Sequence, residues 1–200
     1  IDDPVILPSG IDANNDGLDD AYGPNGLTPF DTPNVPSAAG LSYEFFKIEE
    51  GLTQLPNFDA LTPLEVGISN TGPDLDVSSF TPANENGDEL YAYRFSGQIN
   101  ITAAGNYTFF TDSDDGSKLY IDGVEVVDND GLHSMNEEEG EISLTAGLHD
   151  IVITFFENTG GDNLTVSYQG PDMSIKEEIP NSAYFQPAAV GPDFVSINSN

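Results

Sequence analysis

No stretch of helical length in this chain repeats its apolar residues at a helical period, so amphipathic helices cannot build its core. The apolar residues come instead in short β-prone runs broken by Gly, Asp, Asn and Pro. Leu41 to Ile48 is aromatic and apolar, and Leu90 to Ile99 alternates as a half-buried strand does, with Arg94 expected to pair with a carboxylate. Tyr107 to Phe110, Lys118 to Ile121, Val124 to Val127, Ile142 to Thr145, Leu148 to Glu157 and Leu164 to Tyr168 continue the rhythm. This pattern predicts an antiparallel β-sandwich or barrel. Hairpins are expected at Ala103 to Asn106 and at Asp122-Gly123, the latter through a primed turn. Leu55 to Pro63 reads as irregular, anchored by Phe58 and Leu61, and Val77 to Leu90 as a polar loop.

The runs Tyr107 to Phe110 and Lys118 to Ile121 flank Thr111-Asp112-Ser113-Asp114-Asp115-Gly116-Ser117, predicted to be the exposed tip of a strand pair. Adjacent carboxylates repel unless a positive charge lies between them. Four Lys plus Arg against 35 Asp plus Glu (4 − 35 = −31) leave few side chains to supply it, so a bound cation is the natural counter-charge. Neighbouring side chains of an extended strand point to opposite sides, so one ion reaches both Asp114 and Asp115 only if the peptide between them bends sharply or is cis. The alternative is a solvated acidic turn.

The charge of −31 excludes nucleic acid and anionic membrane as partners bound through phosphate neutralisation. It suits a saline or calcium-rich exterior, where salt screens the self-repulsion. With no cysteine there is no disulfide framework, thiolate metal site or cysteine nucleophile, and calcium is expected to take over the stapling role. The chain contains no apolar run long enough to span a membrane and no signal peptide, and is expected to be a monomeric module of a longer exported protein.

Residues 1–40 are rich in Pro, Gly, Asn and Asp, and are expected to form an irregular acidic leader ahead of a folded domain over residues 41–190 and a tail over 191–200. In Asp12-Ala13-Asn14-Asn15-Asp16-Gly17-Leu18-Asp19-Asp20 the oxygen-bearing side chains alternate before a Gly, as in the first half of an EF-hand calcium loop. Gly23 stands where the closing bidentate Glu would be, and the stretch resembles instead a thrombospondin type 3 repeat. That likeness implies structural calcium held by Asp12, Asn14, Asp16, Asp20 and the Leu18 carbonyl; the alternative is an acidic linker.

Gly40-Leu41-Ser42-Tyr43-Glu44-Phe45-Phe46, Leu55-Pro56-Asn57-Phe58, Ser113 to Gly123, Val126 to His133, Leu144-Thr145-Ala146-Gly147-Leu148-His149 and Ile179-Pro180 resemble, in order, the PA-14 domain named after anthrax protective antigen. The resemblance covers about Leu41 to Pro187 and implies a jelly-roll-like β-sandwich. The family is functionally mixed, occurring in toxins, glycosidases, yeast flocculins, epithelial adhesins and large bacterial adhesins. Its carbohydrate-binding members imply a consecutive Asp pair, matched by Asp114 and Asp115, holding calcium that in turn binds vicinal sugar hydroxyls. The loop after Phe155-Phe156-Glu157 matches the second element, with Asn158 as side-chain ligand and Gly160, Gly161, Asp162 and Asn163 supplying carbonyls. The acidic leader and the charge resemble marine bacterial repeat-containing adhesins.

The expected function is therefore a calcium-dependent lectin module of an extracellular bacterial adhesin, with cell-surface glycans as partners. Asp112 and Gln169 are candidates for hydrogen bonds to sugar, and Tyr168 for stacking on it. Alternatives are a structural or protein-interaction module of a large secreted protein, or an accessory binding domain of a glycosidase. The chain itself is not expected to be an enzyme: two carboxylates on one ion stay ionised and leave no proton donor, and no Gly-x-Ser-x-Gly nucleophile elbow occurs. His133 and His149 are expected to be structural, and Asp128 with Asp130 to form a further candidate calcium loop.

Overall fold

A computed structural model of the chain describes residues 39–69 and 90–187. The leader candidates Asp12, Asn14, Asp16, Leu18 and Asp20, the expected polar loop up to residue 89 and the tail 191–200 lie outside the described residues.

The strands are β1 (Leu41–Lys47), β2 (Glu65–Ser69), β3 (Tyr91–Ile101), β4 (Gly105–Asp114), β5 (Ser117–Ile121), β6 (Val124–Asn129), β7 (Asn136–Leu144), β8 (Gly147–Glu157), β9 (Asn163–Gln169), β10 (Glu177–Glu178) and β11 (Tyr184–Phe185). They form two antiparallel sheets, ordered β2-β1-β3-β8-β5-β6 with β11 also on β3, and β10-β9-β4-β7. The fold is all-β, an antiparallel sandwich, as the short-run pattern predicts.

The period of two decides which side chains meet between the sheets. Tyr93, Phe95 and Ile99 of β3, Ile151, Ile153 and Phe155 of β8, and Leu119 and Ile121 of β5 line one inner face; Tyr107 and Phe109 of β4 and Leu164 and Val166 of β9 line the other. On the opposite face of β1, β3 and β8, Phe46, Ala92 and Phe156 bury a smaller cluster with Ile48 and the irregular segment's Phe58. The anchoring role expected of Phe58 and Leu61 is borne out, since Phe58 is edge-on to Phe46 at 5.3 Å and Leu61 packs on this cluster. Arg94 pairs with Glu44 at 2.6 Å and Asp59 at 2.7 Å, also as expected.

The connections depart from the sequence reading. Ala103 to Asn106 does not close a hairpin: β3 pairs with β1, β8 and β11, whereas β4 pairs with β7 and β9. Nor is the acidic stretch the tip of a strand pair, because β4 lies in one sheet and β5 in the other. Both are arches that carry the chain across the sandwich, as are the β6-β7, β7-β8 and β8-β9 connections. Short Gly- and Asp-containing turns serve an arch between sheets about 10 Å apart as well as a hairpin within one, so turn chemistry alone does not separate them. The Asp122-Gly123 hairpin is as predicted, with φ of 49° and 77° at the two turn residues, the left-handed pair of a primed turn.

Register then gathers the arches. Ser113 stands opposite Asn136, Asp114 opposite Asn163, Ser117 opposite Asn129 and Phe155, and Tyr91 opposite Glu157. The β4-β5, β6-β7 and β8-β9 arches therefore emerge at one end of the sandwich.

Candidate functional site

A buried polar clamp ties this end together. Ser113 and Ser117, on either side of the acidic turn, share a hydroxyl hydrogen bond of 2.8 Å. The Asn129 amide donates to Ser113 Oγ at 3.1 Å, to the Thr111 carbonyl at 3.2 Å and to the Asn136 carbonyl at 2.9 Å, and its oxygen accepts from Asn136 at 3.0 Å. Ser113, Ser117 and Asn129 are all buried, where such groups are stable only when paired. Gly116 leaves no room for a side chain: a Cβ there would stand 2.5 Å from the Phe156 ring and 2.8 Å from the Gly131 nitrogen.

Above this clamp the Asp114–Asp115 peptide is cis, one of the two local geometries that the pair requires in order to share an ion. Asp115 is buried and accepts two backbone N–H bonds at 3.0 Å, His133 onto Oδ1 and Asn158 onto Oδ2. One carboxylate thereby joins all three arches. Burial and then the Asp115 charge push the Asp114 carboxyl above the usual carboxylate range, while His133 and the Met135 backbone amide draw it down.

The second loop closes on the pair from the β8-β9 side. Asn163 faces Asp114 in register and donates to the Asp112 carbonyl at 3.3 Å. A Cβ on Gly161 would lie 3.5 Å from Asp114 Oδ2, and Gly160 adopts a φ of 118° at the turn. Asp162 is held by the Tyr91 hydroxyl, which donates to its Oδ2 at 2.6 Å. Asp114, Asp115, Asn158, Gly160, Gly161, Asp162 and Asn163 are thus brought to one end of the sandwich.

Glu157, the last residue of β8, joins them without having been singled out. One carboxylate oxygen each from Asp114, Asp115 and Glu157 lie within 4.8 Å of one another. Glu157 is 2% exposed and neither of its oxygens has a hydrogen-bond partner. Burial, then the charges of Asp115, Asp114 and Asp162, push its carboxyl up to about 8; the Asp115 backbone amide draws it down only weakly and does not reach hydrogen-bond geometry with either oxygen. Of the cations, Arg94, Lys118 and Lys176 pair with other carboxylates. The oxygen-only donor set and the orphaned buried carboxylate fit a hard divalent cation such as calcium.

Other candidates fall elsewhere. Gln169 stands opposite Thr108, six residues and roughly 20 Å along β9 from Asn163, and its amide donates to the Met173 carbonyl at 3.4 Å. Tyr168 packs on the core, stacked with Tyr107 at 6.2 Å and Phe109 at 6.4 Å. Strand β9 leads away from the tip, which removes both from the sugar-contacting role expected of them. Asp112 lies one alternation behind Asp114, where burial and Glu137 raise its carboxyl and Lys176 lowers it. The Asp128 and Asp130 oxygens serve an ion pair with Lys118 at 3.1 Å and a cap on the Leu55 N–H at 2.7 Å.

Several known proteins resemble this chain. The Anti-sigma-I factor RsgI3 of Acetivibrio thermocellus is 29% identical over 113 residues, 56% of this chain and 17% of the relative. A solved anti-sigma factor domain-containing protein is 26% identical with a TM-score of 0.61, over 74% of this chain and 48% of that one. The chain thus spans less than half the length of either. A PA14 sugar-binding domain from an RTX adhesin superposes with a TM-score of 0.59 over 75% of this chain and 99% of its own, and at 18% identity that likeness speaks for the fold. The family model described as PA14 domain matches residues 39–182, most of the sequence, and the chain belongs to the PA14 domain family.

Proposed function

We propose that this domain is a calcium-dependent carbohydrate-binding module of an extracellular protein, an adhesin in the reading favoured here. The observation that carries it is the convergence of Asp114 and Asp115 with the 158–163 loop at an exposed end of the sandwich, anchored by the Asn158 N–H on Asp115 at 3.0 Å. Two carboxylates, the Asn158 side chain and carbonyls of the second loop would hold the ion. Its remaining positions would face solvent, where vicinal sugar hydroxyls can replace water. The likeness to a sugar-binding PA14 domain of an RTX adhesin supports the ligand class. Catalysis has no part in this reading, since carboxylates committed to an ion supply neither acid nor nucleophile.

A second reading follows from the anti-sigma relatives: an interaction module within a larger regulatory chain, without sugar binding. A glycan array probed with the protein in calcium and in chelator separates the two. Calcium-dependent signals on neutral glycans support the lectin reading; a blank array in calcium removes it in favour of the interaction module.

A further inference from the structure

We propose that Glu157 is a direct ligand of the cation held at Asp114 and Asp115, contacting it from the interior of the sandwich. The proposal rests on the calcium reading above and adds a third carboxylate to it, at a residue that neither the acidic turn nor the second loop contains.

Three observations point the same way. Glu157 is 2% exposed and both of its oxygens lack a partner. Buried carboxylates in folded proteins are paired or hydrogen-bonded almost without exception, so two orphaned oxygens on one side chain call for a partner. Next, one oxygen each of Asp114, Asp115 and Glu157 lie within 4.8 Å of one another. Two ligands at calcium–oxygen distances of about 2.3–2.6 Å stand at most about 5 Å apart, so this spacing is that of oxygens around one ion. Finally, the backbone under Glu157 is fixed to the turn that carries the pair: the Phe156 N–H donates to the Gly116 carbonyl at 3.0 Å, and Glu157 itself stands in register with Tyr91. Tyr91 in turn holds Asp162 of the second loop at 2.6 Å. The central strand of the larger sheet thus carries a carboxylate to the underside of the site, while the loops enclose it from the solvent side.

A third carboxylate raises the charge facing the ion from −2 to −3, and ligand charge is one of the quantities that set calcium affinity. The ion would then remain bound when sugar leaves.

The test is calorimetric titration of the full chain with calcium alone, for the native protein, Asp115→Asn, Glu157→Gln and Glu157→Asp, with the fold followed by thermal melting in chelator. The binding component lost in Asp115→Asn identifies the tip site against any calcium taken up by the leader. Glu157→Gln keeps the size and one oxygen but removes the charge, and should weaken that component roughly tenfold or more. Glu157→Asp keeps the charge on a shorter arm and should weaken it less, which keeps the proposal testable should the Gln variant not fold. Tip-site affinity unchanged in whichever of the two variants folds overturns the proposal while leaving the calcium reading standing. A native protein without a tip-site component removes both.

Discussion

The Asp115 carboxylate accepts the backbone N–H of Asn158 at 3.0 Å on one oxygen, while its other oxygen accepts that of His133 at the same distance. These two bonds join side chain and loops through protein groups alone, and their contribution is measurable in chelator. Asp115→Ala strands two donors and should cost about 1–3 kcal/mol of unfolding free energy. Asp115→Asn retains one acceptor and should cost less. Denaturant unfolding checks this, and an Ala variant as stable as the native protein in chelator would mean that the arches are held together by other contacts.

On the proposed site, calcium should stabilise the domain, because Asp114, Asp115 and Glu157 come together only in the folded chain. Binding to the native state alone adds RT ln(1 + [L]/Kd), about 2.7 kcal/mol at a hundredfold excess over Kd. Melting in calcium and in chelator should show a clear upward shift, reduced in Asp115→Asn. A midpoint indifferent to calcium removes the ion from the account of the fold.

What the sequence disclosed followed from local chemistry. Like charges at adjacent positions call for an explanation whatever the fold, so Asp114 and Asp115 stood out as a candidate pair, and the two-residue periods that set the inner faces were legible. Glu157 was not: it closes the Leu148 to Glu157 strand run, where nothing in the sequence sets it apart from the many other carboxylates, and only the structure shows it buried opposite Tyr91. The Ser113, Ser117 and Asn129 clamp joins residues up to sixteen positions apart through an arch that the sequence reads as a hairpin. Gln169 and Tyr168 follow the second loop in sequence, yet an extended strand carries them away at over 3 Å per residue.

Gly116→Ala should damage the site without touching a ligand. The added methyl would meet the Phe156 ring at 2.5 Å and the Gly131 backbone at 2.8 Å and 2.9 Å. Backbone cannot rotate aside, so a loss of about 1–3 kcal/mol is expected from overpacking. Because the same turn positions Asp114 and Asp115, calcium affinity at the tip should fall with stability. A variant as stable as the native protein would show that the arch has slack.

His149 supplies a pH signature at the other end of the sandwich. Burial opposes its charged form, but Asp122 at 2.7 Å, the Thr145 carbonyl and Asp150 outweigh burial and raise its pKa above 6.5. A raised folded-state pKa means that the contribution of His149 to stability is complete below the unfolded value near 6.5 and is lost as pH rises through the folded value. NMR titration of the native protein should give a His149 midpoint above 6.5. Asp122→Asn, which still tolerates the φ of 49° at that turn, should lower it. An unmoved midpoint in that variant would assign the shift to other neighbours.

The lectin reading is tested most sharply by separating what Asn158 does with its backbone from what it does with its side chain. Its N–H holds Asp115, a bond that any residue except proline can make, whereas its amide oxygen is the expected calcium ligand. Asn158→Ala should therefore leave the melting point in chelator nearly unchanged yet weaken both calcium and sugar binding at the tip. Asp115→Asn should weaken both further, by removing charge as well as a ligand oxygen. Affinity for a single monosaccharide at such an open site should be on the order of 1 mM, about −4 kcal/mol, with useful adhesion arising from many copies acting together. Calorimetry with calcium, followed by glycan binding to each variant at saturating calcium, provides the comparison. Sugar binding that survives chelation, or that Asp115→Asn leaves intact, would place the carbohydrate on another surface of the sandwich.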